Sequence, residues 1–271
     1  MPPSSGRAIA VFDIDGVIRD VSGSYRRAIA DTVEHFTEGR YRPTVEDIDQ
    51  LKSEGIWNND WHCSQELVYR YGEGQGRSRI DISLDYDALV HYFQCRYRGP
   101  DPDDSAQWTG YIAHEPLLVT TAYFEQLTEA GIAWGFFSGA TRGSASYVIE
   151  QRLGLKNPVL ITMEDAPGKP DPKGLLMAIA QLEAQHPKAV KKPVFYIGDT
   201  VADIKTPQQA KAQQPERLWF GLGVLPPHVL PNPAYAKGYA ERLTQAGAIA
   251  VFEETLAVTP DVLQALLASH R

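Results

Sequence analysis

The chain of 271 residues is poor in cysteine, in long apolar runs and in positive charge. Its two cysteines, Cys63 and Cys95, make neither a C-x-x-C motif nor a disulfide framework, which fits a reducing compartment. No apolar run reaches the length of about 18 residues that a membrane span requires. The start, Met1-Pro2-Pro3-Ser4-Ser5-Gly6, carries no apolar signal region. A cytoplasmic location without a membrane partner is therefore expected. Lys and Arg number 26 against 34 Asp and Glu, and the net charge of -8 argues against general nucleic-acid binding, which depends on basic surface. Internal repeats and low-complexity tracts are also absent. With 43% hydrophobic residues the chain can bury one large core and one small one.

The polar residues that stand out follow short apolar segments. Ala8 to Phe12 reads as a strand buried on both faces, and it runs into Asp13-Ile14-Asp15-Gly16-Val17. Alternation along an extended chain turns Asp13 and Asp15 to one side, close enough to repel one another and to favour a bound cation. Asp and Gly are equally common in turns, so the pair taken alone also reads as a turn. Three further segments repeat the arrangement. Ala133–Phe137 ends in Ser138-Gly139-Ala140, and Pro158–Thr162 leads to Lys169-Pro170-Asp171-Pro172. Val194–Ile197 ends in Gly198-Asp199-Thr200-Val201-Ala202-Asp203. From Ser138 to Lys169 is 31 residues and from Lys169 to Asp199 is 30, each close to one βαβ unit. The polar clusters thus fall at one edge of one sheet, where open α/β sheets bind ligands.

In that order, D-I-D-G-V, S-G-A, K-P-D-P and G-D-T-V-A-D resemble the four signature motifs of the haloacid dehalogenase-like hydrolase superfamily. The resemblance covers Arg7 to about Leu225. The long insertion between the first two motifs resembles the helical-cap subgroup, which contains phosphoglycolate phosphatase-like and β-phosphoglucomutase-like enzymes. The expected fold is α/β, a doubly wound, mostly parallel Rossmann-like sheet with an inserted α-helical cap domain. The core is expected over 1–20 and 115–271 and the cap over 21–114.

The resemblance implies a magnesium-dependent phosphatase acting on a small phosphorylated metabolite. Asp13 is the expected nucleophile, forming an aspartyl phosphate, and Asp15 the general acid and base. An acid at position 15 favours an oxygen leaving group. Magnesium, a hard cation, suits oxygen ligands; the resemblance implies coordination by the Asp13 carboxylate, the Asp15 backbone carbonyl and Asp199, with Asp203 close by. Asp203 also reads as a residue of a helix first turn, where negative charge complements the dipole. Ser138 and the Gly139 amide are expected to bind phosphate before a helix over Ser144–Leu153, and Lys169 adds a point charge. Arg142 could also reach phosphate or stay exposed. A phosphomutase of the β-phosphoglucomutase type shares these motifs, differing in how water is excluded, and a non-catalytic phosphoester-binding module is the third reading. Oligomeric state is not legible.

Between the first two motifs the pattern changes to helices and loops. Tyr25, Ile29, Val33 and Phe36 form one apolar stripe, Leu67, Val68 and Tyr71 a second, and Leu84, Ala88 and Tyr92 a third, with a short helix from Thr44 to Lys52. Trp57-Asn58-Asn59-Asp60-Trp61 suits a polyhydroxylated substrate, the rings packing and the amides hydrogen-bonding; it equally suits a core anchor with a helix cap. Nine Arg and one Lys lie in this region. Most are expected to pair with its acids, while Arg19, beside the first motif, and Arg26 are candidates for substrate recognition. After the fourth motif, Arg217–Leu222 and Ala248–Phe252 read as strands, Leu225–Ala234 as a proline-rich loop and Pro260–Ser269 as a closing helix.

Overall fold

A computed structural model describes residues 7–270 apart from 55 and 58. The chain divides into two compact units, one comprising Met1–Asp20 with Pro116–Arg271 and the other Val21–Glu115.

The first unit is built on six parallel strands: β1 (Ala8–Phe12), β2 (Ile132–Phe137), β3 (Leu160–Ile161), β4 (Val194–Gly198), β5 (Trp219–Val224) and β6 (Ala250–Phe252). Their order is β3-β2-β1-β4-β5-β6. The chain first builds outward from β1 on one side, then returns to build outward on the other, so the direction of winding reverses between β1 and β4. Connections leave to opposite faces at that point and open a crevice beyond the strand ends. Asp13 and Asp199 are the residues that follow β1 and β4.

Every residue of β1 and β4 is buried, because helices cover both faces of the sheet. Ala8, Ala10 and Phe12 alternate onto a core shared with Phe136, Phe195, Phe220 and Leu222. Helices α5 (Thr121–Glu129) and α10 (Pro260–Ser269) complete it through Tyr123, Phe124, Leu127, Leu263 and Leu267. Phe12 meets Tyr123 and Phe124 edge-on at centroid separations of 6.0 and 5.7 Å. Such pairs add about 0.5–1.5 kcal/mol each beyond the area they bury. Ile9, Val11, Phe137 and Tyr196 point to the opposite face, against Leu175, Ala178, Ile179 and Leu182 of α7 (Lys173–Gln185) and Ala210 of α8 (Val201–Gln213).

Several boundaries differ from the sequence expectation. Helix α5 begins only at Thr121, Leu117 ahead of it forming an antiparallel bridge with Arg19. The helix expected over Ser144–Leu153 starts earlier, as α6 (Arg142–Ser146), and continues as a wider π-helical turn over Tyr147–Arg152. Helix α9 (Pro233–Gln245) was not expected at all. It starts on the last proline of what reads as a loop: Pro233 fills the first helical position, where no N–H is needed, and Asn232 Oδ1 accepts from the Ala234 and Tyr235 amides. Of its side chains only Leu243 is fully buried, so its apolar periodicity is faint.

The second unit holds α1 (Tyr25–Phe36), α2 (Val45–Ser53), α3 (Asp60–Gly74) and α4 (Tyr86–Tyr97). Ile29 and Val33 of α1 pack in its interior with Leu67 and Val68 of α3. The third stripe is displaced by one position from that expected: Leu89, Phe93 and Tyr97 are buried and Ala88 is exposed. Asp85 caps α4, leaving Leu84 outside the helix that the expected stripe would have used. The buried Asp31 carboxylate accepts from Tyr111 Oη at 2.5 Å and Arg96 Nε at 3.1 Å and pairs with Arg42 at 2.8 Å. Burial works to raise its pKa, and these donors outweigh burial and lower it.

Candidate active site

Three of the four motifs meet beyond β1 and β4 through Asp13, Lys169, Asp199 and Asp203, and the second follows β2, the strand next to β1. Asp13 continues the sheet past β1, its amide donating to the Ile197 carbonyl at 2.8 Å. Ser138 does the same past β2, donating to the Ile161 carbonyl at 3.0 Å. Each polar side chain is therefore fixed by a strand whose own side chains are locked in the core.

Lys169 is the hub. Its Nζ lies 2.8 Å from Asp13 Oδ1 and 2.6 Å from Asp203 Oδ1, and the Phe137 and Tyr196 rings stand 5.6 and 5.7 Å from it. Burial alone would lower its pKa, but the two carboxylates outweigh burial and hold it well above the ordinary lysine value. The ammonium is off the hydrogen-bonding direction of Asp13 Oδ1, so that buried oxygen has an ion-pair neighbour and no aligned donor. Burial, with repulsion from Asp203 and Asp15, pushes the Asp13 carboxyl up to about 7 against the pull of Lys169.

Asp203 is wholly buried, and both of its carboxylate oxygens are engaged. Its Oδ2 accepts from the Thr200 amide at 2.9 Å and the Thr200 hydroxyl at 2.5 Å, while the Asp203 amide donates back to Thr200 Oγ1 at 3.2 Å. This is a capping box opening α8, and T-x-x-D ahead of a helix is its sequence signature. Asp203 sits in the helix first turn, buried there rather than solvated, and its carboxylate lies in the cluster with those of Asp13 and Asp199.

Carboxylate oxygens of Asp13, Asp199 and Asp203 lie within 4.8 Å of one another. Three acids against one lysine leave the pocket negative, and the donors are all hard oxygens, including the poorly satisfied Asp13 oxygen. The residues thus fit a small divalent cation, with the Asp13 and Asp199 carboxylates in the cluster and that of Asp203 committed to Lys169 and Thr200. Two glycines make the crowding possible. Gly16 has φ +75°, and a Cβ there would stand 2.3 Å from Asp199 Oδ2; at Gly198 a Cβ would stand 2.2 Å from that of Asp203.

The remaining expected residues separate. Asp15 is one-third exposed and receives a hydrogen bond from Arg19 Nε at 2.7 Å. Ser138 Oγ accepts from the Ala140 amide at 3.1 Å, and Gly139 is exposed with open space around it. The helix N-terminus that the sequence offers to an anion is taken, since Glu164 accepts from the Arg142 amide at 3.0 Å. Arg142 pairs its guanidinium with Asp165.

In the second unit, Arg26, Trp57 and Asn59 each have an internal contact. Arg26 donates to Asp49 Oδ1 through Nε at 3.2 Å and a terminal nitrogen at 2.5 Å, and to Tyr25. Trp57 Nε1 donates to Glu54 at 2.8 Å. Asn59 Oδ1 accepts from the amides of Trp61 and His62 at 2.9 and 3.1 Å and so caps α3. Asn58 lies outside the described residues. Burial pushes the Cys63 thiol up to about 12, which keeps it an unreactive core residue.

One site residue escaped the sequence. Tyr196 is fully buried on β4, its hydroxyl donating to the Phe137 carbonyl at 2.9 Å and lying 3.4 Å from Asp203 Oδ1. Its position three residues before Asp199 was the available signal, masked by a segment that reads as uniformly apolar.

An all-parallel sheet with an acidic cluster and a buried lysine at the winding reversal defines a class of α/β hydrolase. A sequence model of the haloacid dehalogenase-like hydrolase family matches residues 8–211, and the chain belongs to that family. A protein of Phytophthora nicotianae named imidazoleglycerol-phosphate dehydratase is 31% identical over 270 residues, which is 94% of this chain and 52% of that protein. The chain thus spans about half the length of this curated relative. Among solved structures, a phosphonoacetaldehyde hydrolase-like protein from Oleispira antarctica shares the fold with TM-score 0.66 and 17% identity, over 97% of this chain and 95% of its own. A HAD family hydrolase from Deinococcus radiodurans, with bound phosphate and sodium, does so with TM-score 0.61 and 17% identity, over 98% and 97%.

Proposed function

We propose that this chain hydrolyses a small phosphomonoester with the help of magnesium, Asp13 acting as nucleophile. The observation that carries the reading is the buried Asp13–Lys169–Asp203 chain with Asp199 beside it, at the crevice where this fold binds ligands. A carboxylate with one poorly satisfied oxygen is available to attack phosphorus. Lys169 screens it from the other acids and draws in the phosphoryl oxygens. Ser138 Oγ and the Gly139 amide, on the loop that continues β2, would hold those oxygens as charge builds.

Attack in line gives an aspartyl phosphate and expels the alcohol. Asp15, more exposed than Asp13, protonates the departing oxygen and then takes a proton from the water that releases phosphate. Magnesium, when bound, neutralises charge on the transferring group; Asp13, the Asp15 carbonyl and Asp199 would hold it, with Asp203 orienting Lys169 behind them. Unaided phosphomonoester hydrolysis is slow enough to require enhancements of up to about 10²¹-fold, so nucleophile, acid and charge stabilisation all have a share.

For substrate class, we propose phosphate esters of small alcohols, with imidazole-bearing ones included because the relative of Phytophthora nicotianae is named for such a compound. A panel of sugar, organic-acid and imidazole-bearing phosphomonoesters followed by phosphorus NMR with magnesium tests the reading. Free phosphate, lost in Asp13→Asn, is the expected result. Phosphate that moves between carbons without release would replace hydrolysis with a mutase, and full activity in Asp13→Asn would remove the nucleophile.

A further inference from the structure

Arg19 is the largest fully buried side chain among the described residues, 1% exposed. A buried guanidinium is costly unless its charge and donors are met. Here Nε meets Asp15 Oδ1 at 2.7 Å. A side chain so enclosed has almost no surface to offer a substrate, which removes the recognition role expected from sequence. Its contact with Asp15 is what remains to be explained.

We propose that Arg19 is a positioning residue that fixes the Asp15 carboxylate for proton transfer to the leaving group, a role that rests on the phosphatase reading above. The backbone around it is locked on both sides. The Gly16 amide donates to the Arg19 carbonyl at 2.9 Å, closing the turn that carries Asp15. The Leu118 amide donates to the Ile18 carbonyl at 2.8 Å and the Asp20 amide to the Pro116 carbonyl at 2.8 Å, so residues 18–20 are tied to 116–118 as a short ladder. The Thr255 hydroxyl, from the far end of the chain, donates to the Val17 carbonyl at 2.6 Å. Arg19 therefore reaches Asp15 from a rigid base. It holds one carboxylate oxygen while the group as a whole stays one-third exposed. A proton donor works only within hydrogen-bonding reach of the oxygen it serves, and an untethered, partly solvated carboxylate samples many orientations.

The consequence is selective by leaving group. An alkyl alkoxide must be protonated as it departs, whereas p-nitrophenolate leaves without help. The quantity to read is kcat/KM, which covers the steps up to alcohol release and omits phosphoenzyme hydrolysis. For Arg19→Met, kcat/KM is expected to fall about 100-fold on glycerol phosphate, the low end of what general acids contribute. On p-nitrophenyl phosphate it is expected to fall far less. Asp15→Asn should show the same split, and the double variant should lose no more than Asp15→Asn alone, since the two residues act as one unit. Arg19→Lys keeps the charge without the planar guanidinium and should show a smaller loss with the same split; it also serves where Arg19→Met fails to fold. Equal losses on both esters, or a rise in KM at constant kcat, would overturn the positioning role while leaving the phosphatase intact. Wild-type protein that hydrolyses neither ester would instead overturn the phosphatase reading and this role with it.

Discussion

Asp13→Asn is expected to stabilise the metal-free protein while abolishing turnover. The folded chain holds the Asp13 proton up to about pH 7, whereas an unfolded chain releases it near the ordinary value of 3.8. A raised folded-state pKa contributes stability that is present below the unfolded value, declines as pH rises toward the folded one and is then lost. At about 1.4 kcal/mol for each pH unit separating the two values, the ionised carboxylate costs about 4 kcal/mol. Asparagine fills nearly the same space and has no such window. Urea denaturation in a chelator, at about pH 4.5 and about pH 8, reads the difference: the wild type should lose about 3 kcal/mol relative to the variant between them. Magnesium at a hundredfold excess over its dissociation constant should return about 2.7 kcal/mol to the wild type at the higher pH. The same addition should do little for the variant. Parallel pH profiles for the two proteins would refute the account of Asp13 as a carboxylate strained by burial.

Lys169→Met should lower kcat by at least about 100-fold and destabilise the fold by about 3 kcal/mol, because it strands two buried carboxylates; steady-state kinetics and urea denaturation check both. Gly16→Ala places a Cβ against Asp199 at a backbone angle that suits glycine, so magnesium affinity by titration calorimetry should fall at least about tenfold. Asn59→Ala removes the cap of α3 and should cost about 1 kcal/mol without altering the ranking of substrates. A changed ranking would restore a recognition role to that loop.

The sheet was legible because its central strands, β1 and β4, are buried on both faces and so read as uninterrupted apolar words. Asp13, Ser138 and Asp199 stood out because each follows such a word directly. Lys169 was found by its interval from the other motifs rather than by its own neighbourhood. Where the sequence fell short, two signals competed or one was hidden. Helix α9 opens with prolines that also mark loops and buries little. Helix α4 carries two interleaved apolar rows, and the buried row was the other one. Arg19 looked like a cation waiting for a ligand, since nothing in a sequence says that a charged side chain will be enclosed. Tyr196 was lost among apolar neighbours on its strand, although its hydroxyl bonds across to the end of β2.

The central claim is that Asp13 carries the phosphoryl group. Wild-type protein turning over a phosphorus-labelled ester with magnesium should be quenched in acid and digested, and the peptides analysed by mass spectrometry. The account predicts label on the peptide containing Asp13, released by hydroxylamine as an acyl phosphate is, and enhanced when Asp15→Asn slows the second step. Turnover without any protein-bound phosphate, or label on a different residue, would contradict it.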